Sequence, residues 1–219
     1  MNEQNTPNEE TPKAEPPKEP INWKAEILSW IQVIVAAAVI AFVITTFIIA
    51  NSRIPSASME NTIMTGDRVI GSRLTYHFKD PERGDVVIFV FGYGCKNCGA
   101  QYQENSDGVC PACGRPDSHN STVYYVKRVI GLPGDTIDIH DGHVYVNNSE
   151  TPLEEPYLPE PMDTPVALHY EVPEDCYLML GDNRNHSADA RFWQNTYISR
   201  DDIIAKVLFR YFPSIGKIE

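Results

Sequence analysis

The stretch NSRIPSASME, residues 51–60, carries serines at positions 52, 56 and 58, directly after a long apolar run. A serine hydroxyl becomes a nucleophile when a neighbouring base can take its proton. The small residues of SAS, 56–58, also resemble the small-x-small pattern of a cleavage site, so self-cleavage at this turn is an alternative. This segment therefore has three interpretations, which are a linker, a cleavage site and a nucleophile, and the rest of the sequence is needed to choose between them.

A candidate base lies in YVKRVIGLPGD, residues 125–135. Side chains alternate between faces in an extended strand, so Tyr125, Lys127 and Val129 share one face. An ammonium group among apolar side chains loses hydration, which lowers its pKa and favours the neutral amine. A neutral amine can accept a proton from a serine hydroxyl, and serine–lysine pairs are a known nucleophile–base arrangement. Judged on this segment alone, a lysine that reaches solvent from a strand edge is the simpler interpretation.

A third polar segment, GDNRNHSADARFW, covers residues 181–193. His186 lies close in sequence to Asp182 and Asp189, which suggests a serine–histidine–aspartate triad with Ser58 as an alternative. A triad needs a carboxylate that orients the histidine and a histidine that reaches the serine, and the sequence indicates neither. A polar turn that satisfies its own hydrogen bonds would have the same composition.

The segment CKNCGAQYQENSDGVCPACG, residues 95–114, has the spacing C-x2-C, eleven residues, C-x2-C. Its cysteines are Cys95, Cys98, Cys110 and Cys113. Each C-x2-C turn directs two thiolates at one cation, and the glycine after each pair lets the backbone fold around the sulfurs. The pattern predicts a zinc-ribbon-like insertion over 94–114 with a structural role, since four thiolates leave no open position for catalysis. Two disulfides are the alternative if the domain lies outside the cell.

Residues 27–50 form a run of 24 residues without a charge. A helix of this length would be about 36 Å long, enough to cross a bilayer with some tilt. A secretory signal peptide is the alternative, but such peptides have a short basic leader and an apolar core of about 7–15 residues. The sequence therefore predicts an uncleaved membrane anchor. Lysines and arginines lie on both sides of the run, so charge leaves its orientation open.

The segment before the anchor, residues 1–26, is acidic and has five prolines. It has too little apolar surface to offset the entropy of ordering, so we expect a disordered cytoplasmic tail. The whole chain has 219 residues and a net charge of -12. This charge makes nucleic acid an unsuitable partner.

Residues 51–219 consist of short segments rich in β-branched and aromatic residues, separated by turn signals such as LPGD and HDGH. Such segments predict strands. They cover residues 67–74, 84–91, 123–130, 135–140, 143–148, 167–172, 176–182 and 203–212. Five prolines in 151–165 predict an extended surface loop. We expect one mainly antiparallel β domain.

Several motifs, in this order and behind an N-terminal anchor, resemble the type I signal peptidases. They are PSASM (55–59), RGDVVIF (83–89), YVKRVIGLPGD (125–135) and GDNRNHSADAR (181–191). The resemblance covers nearly all of residues 27–219 outside the cysteine insertion. It implies an antiparallel β catalytic domain of the signal-peptidase and LexA-like type, with an apolar cleft that accepts small residues one and three positions before the scissile bond.

The resemblance also implies roles for six residues. These are Ser58 as nucleophile, Lys127 as general base, the Ser58 N–H and the Ser56 hydroxyl as oxyanion donors, Ser187 as the residue that orients the lysine, and Asp189 with Arg191 as a structural ion pair. The chain departs from the family pattern at Asn61, where proline is frequent, and at Ala190, where serine is frequent. Neither departure removes a catalytic group.

The predicted function is that of a membrane-anchored serine endopeptidase that removes signal peptides from exported preproteins and needs no cofactor for catalysis. Its expected partners are signal peptides, the lipid bilayer and the protein translocation machinery. We expect a single-pass plasma-membrane protein with a cytoplasmic N-terminus and an extracytoplasmic catalytic domain. The alternative is a non-catalytic, membrane-tethered adaptor whose zinc ribbon binds partners. A self-cleaving repressor of related β architecture would need a DNA-binding segment, which the acidic tail and the span disfavour.

Overall fold

The computed structural model describes residues 23–103, 108–116, 119–163 and 165–218 of the chain. The chain divides into two units, Met1–Ala41 and Phe42–Glu219. The predicted disordered tail lies outside the described residues as far as residue 22. Its last four residues, 23–26, belong instead to the first turn of a helix.

Helix α1 spans Trp23–Val43 and is apolar on all sides. A helix without a polar face is suited to lipid or to a protein interior rather than to a domain surface. The segment Glu26–Ile48 has a mean hydropathy of 2.7. By length and composition it can cross a membrane.

The helical conformation ends earlier than the apolar run does. A π-helical turn, Ile44–Ile48, follows α1, and strand β1 then begins at Ile49. The expected span over 27–50 therefore differs from the structure at Ile49 and Ala50, and Ala50 is buried in a β core. A run that is apolar at every position shows neither a helical nor a strand period, so the sequence gives no signal of the residue at which the helix ends and the strand begins.

Twelve strands are present in the described residues. They are β1 (Ile49–Arg53), β2 (Arg68–Ser72), β3 (Val86–Cys95), β4 (Gln101–Tyr102), β5 (His119–Gly131), β6 (Thr136–His140), β7 (His143–Val146), β8 (Leu168–Glu171), β9 (Cys176–Leu180), β10 (Tyr197–Ser199), β11 (Ile203–Phe212) and β12 (Gly216–Lys217). A short helix α2, Thr75–Phe78, follows β2.

Nine strands form one antiparallel sheet in the order β1-β2-β11-β3-β5-β9-β10, with β12 beside β11 and β4 beside β3. The other three form a small antiparallel sheet in the order β7-β6-β8. Asp141 and Gly142, both with positive φ, connect β6 and β7, as the HDGH turn signal predicted.

The long hairpin of β3 and β5 organises the domain. Its strands pair from Val86↔Arg128 to Cys95↔His119, so one hairpin carries Lys127 near its base and the cysteine insertion at its tip. Apolar side chains from β2, β3 and β11 pack on one face of the sheet, and those from β3, β5 and β9 pack on the other. The hairpin therefore connects Lys127 and the cysteine insertion through one strand pair, whose register shifts at two places.

All eight predicted strands are present, and the prediction of a mainly β, antiparallel domain behind an apolar N-terminal helix is confirmed. Strands β1, β4, β10 and β12 were not predicted. Three of these have two or three residues, too few for a pattern, and β1 continues the apolar run of the helix. The described residues of 151–165 form turns and irregular chain, as the prolines indicated.

Candidate active site

Ser58 lies in a single 3₁₀ turn, Ala57–Met59, that follows β1. The turn is anchored by Met59 and Ile63, whose side chains are fully buried in the core beneath it. Burial of each such side chain is worth about 1.5–3 kcal/mol. This anchoring fixes the position of Ser58, which is itself 8% exposed.

Asn183 holds the same turn from the opposite side. Its backbone N–H donates to the Ser58 carbonyl at 3.1 Å, and its Nδ2 donates to the Ala57 carbonyl at 3.0 Å. Gly181 allows this close approach, since a Cβ there would lie 2.5 Å from the Ser58 carbonyl oxygen. The third polar segment thus packs directly against the serine turn.

Lys127 lies on β5 and is only 3% exposed. Burial lowers the pKa of its ammonium group from 10.5 to about 8, against the opposing influence of Asp189 and Asp182. Its Nζ is 5.9 Å from the centre of the Tyr125 ring. Since no carboxylate in the described residues forms an ion pair with it, Lys127 releases its proton more easily than an ordinary lysine.

Ser58 and Lys127 line the same cavity, which has a volume of about 440 Å³. The remaining lining residues are Ser52, Arg53, Ile54, Pro55, Ser56, Ala57, Met59, Gln101, Tyr124, Tyr125, Val126, His186 and Ala188. Ser58 Oγ lies 3.3 Å from Ser56 Oγ. No hydrogen bond joins Ser58 and Lys127 in the part of the chain that the structure describes; such catalytic contacts are often long in the absence of substrate.

One edge of β5 is open beside this cavity. In the described residues, β5 pairs with β9 only from Arg128 to Gly131, whereas its pairing with β3 continues past Tyr124. The stretch Tyr124–Lys127 therefore presents backbone N–H and C=O groups at the cavity wall. An exposed strand edge of this kind can bind an extended peptide by adding it as a further strand.

The other residues assigned by resemblance lie close by. The side chain of Asp189 is fully buried and accepts hydrogen bonds from Arg191 at 2.8 and 2.9 Å and from the Gly181 N–H at 3.0 Å. Ser187 Oγ is buried against Gly181 and has no hydrogen-bond partner among the described residues. The Ser187–Lys127 contact is not present in this structure and stays a prediction.

The structure excludes the triad alternative. Both carboxylates that could orient His186 bind arginines instead: Asp182 pairs with Arg128 and Asp189 pairs with Arg191. His186 is exposed, and its Nδ1 lies 3.3 Å from the amide oxygen of Asn183. A histidine base needs an orienting carboxylate, and no carboxylate among the described residues bonds to His186.

The four cysteines of the insertion form one cluster. All four sulfurs lie within 4.8 Å of one another, with Cys95–Cys113 at 3.8 Å and Cys98–Cys110 at 3.7 Å. Gly99 and Gly114 have positive φ, and their N–H groups donate to the carbonyls of Cys95 and Cys110 at 2.8 Å. Each C-x2-C pair thus forms the predicted turn around its sulfurs.

The sulfur geometry fits a tetrahedral metal centre. A zinc ion with Zn–S bonds of about 2.3 Å would place its ligands about 3.8 Å apart along each tetrahedral edge. The two sulfur–sulfur distances above match that edge, and they exceed a disulfide bond of about 2.05 Å. All the cysteines are free thiols, so the alternative of two disulfides does not describe this structure.

Comparison with known proteins decides the family. The family model described as signal peptidase, peptidase S26, matches residues 27–212. The chain belongs to this family. Signal peptidase I of Leptolyngbya laminosa is 35% identical over 96% of this chain and 92% of that protein. Signal peptidase IB of Staphylococcus aureus (strain COL) is 32% identical over 87% of this chain and 92% of that protein.

A crystal structure of a signal peptidase I from Enterococcus faecalis V583 also aligns, at 24% identity and a TM-score of 0.39, over 58% of this chain and 97% of that chain. The family assignment rests on the sequence matches. Together with the apolar helix, membership in peptidase family S26 makes this chain a membrane-anchored peptidase.

The departure from the family pattern at Asn61 has a structural basis. Asn61 has φ +87°, and its Nδ2 donates to the Tyr157 carbonyl at 2.6 Å. Proline is restricted to φ near −65°, so it could not adopt this conformation, whereas asparagine tolerates it. Ala190 is buried in the core of the small sheet, so it packs there as an apolar residue.

Sequence reasoning missed several residues that shape the peptidase site. Arg128 binds Asp182 in a buried, bidentate ion pair at 2.7 and 2.9 Å, and the buried Arg184 side chain is paired with Glu155. Arg128, Asp182 and Arg184 lie within the recognised motifs, and Glu155 lies in the proline-rich segment 151–165. Their pairings join positions up to 54 residues apart, and no local pattern gives such contacts.

Proposed function

We propose that this chain is a serine endopeptidase that removes N-terminal signal peptides from exported preproteins, with Ser58 as nucleophile and Lys127 as general base. The observation that carries the proposal is that a buried lysine with a pKa of about 8 lines the same cavity as the anchored Ser58. The relatives bear the name signal peptidase I, which supports the substrate class.

The first half of the reaction forms an acyl-enzyme. Neutral Lys127 takes the Ser58 proton while Ser58 Oγ attacks the scissile carbonyl carbon. The resulting oxyanion accepts hydrogen bonds from the Ser58 N–H and the Ser56 hydroxyl. The position of Ser56 Oγ, 3.3 Å from Ser58 Oγ, supports this role. The Lys127 ammonium then gives its proton to the leaving amine, and the C–N bond breaks.

The second half releases the signal peptide. Lys127, neutral again, takes a proton from a water molecule as that water attacks the acyl carbon. The second tetrahedral intermediate collapses, the proton on Lys127 returns to Ser58 Oγ, and the peptide leaves with a new carboxylate. The same lysine therefore serves both steps, and it must be able to lose and regain a proton near neutral pH.

We propose that the substrate binds in extended conformation along the open edge of β5. Backbone hydrogen bonds to Tyr124–Lys127 would hold the peptide, and the side chains of Ile54, Met59 and Val126 supply apolar surface in the cavity. Ser58 lies ten residues after Ile48, where the helical segment ends. A substrate that emerges from a membrane would meet a nucleophile connected to the membrane by a short stretch of chain.

We propose a single-pass plasma-membrane protein with its N-terminus in the cytoplasm and its catalytic domain on the extracytoplasmic side. A signal peptide is cut after its preprotein has entered the membrane, so this orientation brings the domain to the substrate. The protein translocation machinery, which delivers preproteins, would be a neighbour. Protease digestion of sealed, right-side-out vesicles tests the orientation: exposed fragments from residues 51–219 are expected, and fragments from the N-terminus would reverse it.

We also propose that Cys95, Cys98, Cys110 and Cys113 bind one structural zinc ion, as their sulfur geometry supports. Four thiolate ligands leave no position for water or substrate, so the ion would stabilise the tip of the β3–β5 hairpin and take no part in catalysis. Elemental analysis is expected to find one zinc per chain, and none in a variant in which all four cysteines are serine.

The decisive experiment incubates the purified protein with a precursor that carries a signal peptide, and maps the cut by mass spectrometry. Cleavage after a small residue is expected for the wild type and none for Ser58→Ala. The adaptor alternative predicts no cleavage by either protein. Circular dichroism of Ser58→Ala checks that its fold is intact.

A further inference from the structure

The cysteine insertion contributes directly to the wall of the catalytic cavity. Gln101, on β4, lines the same cavity as Ser58 and Lys127. β4 lies between the two C-x2-C turns in sequence and pairs with β3 through Tyr93↔Tyr102 and Gly94↔Gln101. Gln101 is exposed, and its side chain makes no hydrogen bond to any described residue. A free carboxamide offers both a donor and an acceptor to a bound peptide.

Gln101 lies at the far end of the cavity from the reacting groups. Gly94, its partner, also pairs with Ser121 of β5, so Gln101 is level with a position six residues along the strand from Lys127. A substrate strand beside β5 advances by about 3.3 Å per residue, as β5 does. β4 pairs with the edge of β3 opposite to β5, so Gln101 reaches the substrate through the cavity that it lines together with Tyr124 and Lys127. At the level of Gln101 along the strands, such a substrate is roughly four to six residues from the scissile bond.

The insertion holds Gln101 against the catalytic domain at three points. Gly92 has no Cβ, and one there would lie 2.1 Å from the Tyr102 carbonyl oxygen, so β4 packs closely on β3. The side chain of Gln103 exchanges two hydrogen bonds with the backbone of Asn195, at 2.8 and 2.9 Å. The Cys95 N–H donates to the Ala100 carbonyl at 2.8 Å, which connects the first cysteine turn directly to β4.

A two-residue strand has too few ladder bonds to be stable alone. The cysteine cluster closes the loop that contains β4, so a bound metal would keep Gln101 in place by restricting that loop. We propose that the cysteine insertion forms a metal-stabilised wall of the substrate cleft, in which Gln101 hydrogen-bonds an extended substrate four to six residues from the scissile bond. The inference rests on the proposed function, because it assumes that this cavity binds the peptide.

The test measures peptide binding rather than turnover. The protein is the full-length Ser58→Ala variant in detergent, which binds the peptide without cutting it. The dissociation constant is measured for a long peptide with ten residues on each side of the scissile bond and for a short peptide with three residues on each side. Gln101→Ala is expected to weaken the long peptide about fivefold, the effect of one lost hydrogen bond, and to leave the short one unchanged. Equal effects on both peptides, or none on the long one, would overturn the proposal.

Lys96→Ala is the matched control, since Lys96 is exposed on the same insertion and is absent from the cavity wall. It should keep wild-type binding, and a loss equal to that of Gln101→Ala would count against a specific role for Gln101. Zinc content and thermal unfolding establish that each variant is folded and loaded.

The metal dependence has its own variant, Cys98→Ser/Cys113→Ser, in which zinc binding is lost. It should weaken the long peptide by the same factor, and Gln101→Ala should then add nothing, because the two changes act through one contact. Additive effects, or undisturbed binding without zinc, would refute the metal-stabilised wall. Failure of the proposed function is a separate result: the wild type would then leave the precursor uncut.

Discussion

Two lysines flank the same residue of the central strand and have opposite surroundings. Val87 of β3 pairs with Lys127 of β5 on one side and with Lys206 of β11 on the other. Paired residues in an antiparallel sheet project to the same face, so all three side chains share one face. Lys206 forms an ion pair with Asp85, whereas Lys127 has no carboxylate partner among the described residues and lines the cavity with Ser58.

The difference between Lys127 and Lys206 shows that a lysine's position on the sheet does not by itself make it a general base. Asp85 also accepts a hydrogen bond from Tyr76 at 2.8 Å, so the charge of Lys206 is compensated within a polar group. The carboxylates near Lys127, Asp182 and Asp189, are each bound to an arginine, which leaves the buried ammonium poorly stabilised. We infer that the arginines keep these carboxylates away from Lys127 and so preserve its low pKa.

The largest expected effect appears when each of the two lysines is replaced by arginine and the two variants are compared. Lys127→Arg should lower kcat by about 10³-fold or more, because guanidinium does not lose its proton near neutral pH and general-base catalysis is worth about 10²–10⁴-fold. Lys206→Arg should keep near-normal kcat, since arginine can still pair with Asp85. Single-turnover cleavage of a precursor measures both; near-normal turnover by Lys127→Arg would end the neutral-amine mechanism.

The second prediction concerns pH. Because the pKa of Lys127 is about 8 in the folded protein, the neutral fraction should grow about tenfold per pH unit below that value and level off above it. The rate of acylation should follow the same curve, with its midpoint near the pKa. A profile that is flat from pH 6 to pH 9 would show that Lys127 does not supply the base.

The lowered pKa of Lys127 also makes the free energy of unfolding depend on pH, and the direction of that dependence can be predicted. The unfolded chain holds the proton of this lysine up to about its usual pKa of 10.5, whereas the folded chain releases it near 8. Between these values the unfolded state binds more protons, so the free energy of unfolding should rise with pH. Below pH 8 both states are protonated and the cost of burying the charge is present in full. Lys127→Met, followed by urea unfolding across this range, should remove the rise.

A smaller effect is expected when Lys206 loses its partner. Asp85→Asn leaves the partly buried Lys206 ammonium without its counter-ion, and the free energy of unfolding should fall by about 1–2 kcal/mol. The double variant Asp85→Asn/Lys206→Met tests the cause, because removal of the charge should recover part of the loss. If the double variant is no more stable than Asp85→Asn, the hydrogen bond to Tyr76 rather than the ion pair accounts for the effect.

The comparison also marks what the sequence could and could not predict. Runs of β-branched and aromatic residues predicted β3, β5 and β11, and alternation along β5 assigned Lys127 to an apolar face. Alternation gives no information about partners across the sheet. Neither the Asp85–Lys206 pair nor the Arg128–Asp182 pair follows from spacing, although each pair supplies a buried side chain with its counter-charge.

The same limit applies to the serine turn and to the insertion. Ser58 and Lys127 are 69 positions apart, and only resemblance to a family, not composition, suggested that they meet. The cysteine spacing predicted the cluster because a C-x2-C turn is a local structure. That Gln101 lines the cavity could not be foreseen, since it depends on the pairing of a two-residue strand.

The smallest expected effect concerns the turn that holds Ser58, because Lys127 can act as a base only if the Ser58 hydroxyl is held near it. Asn183→Ala removes the hydrogen bond to the Ala57 carbonyl and should lower kcat about fivefold, the equivalent of one ordinary hydrogen bond. Asn185→Ala is the matched control: its amide contacts Glu160 and Pro161 and does not touch the serine turn. The pH midpoint should stay at that of the wild type, since Asn183 positions Ser58 and does not face Lys127. A shifted midpoint with unchanged kcat would instead mean that Asn183 acts on the lysine, and the serine turn would need no support from the third polar segment.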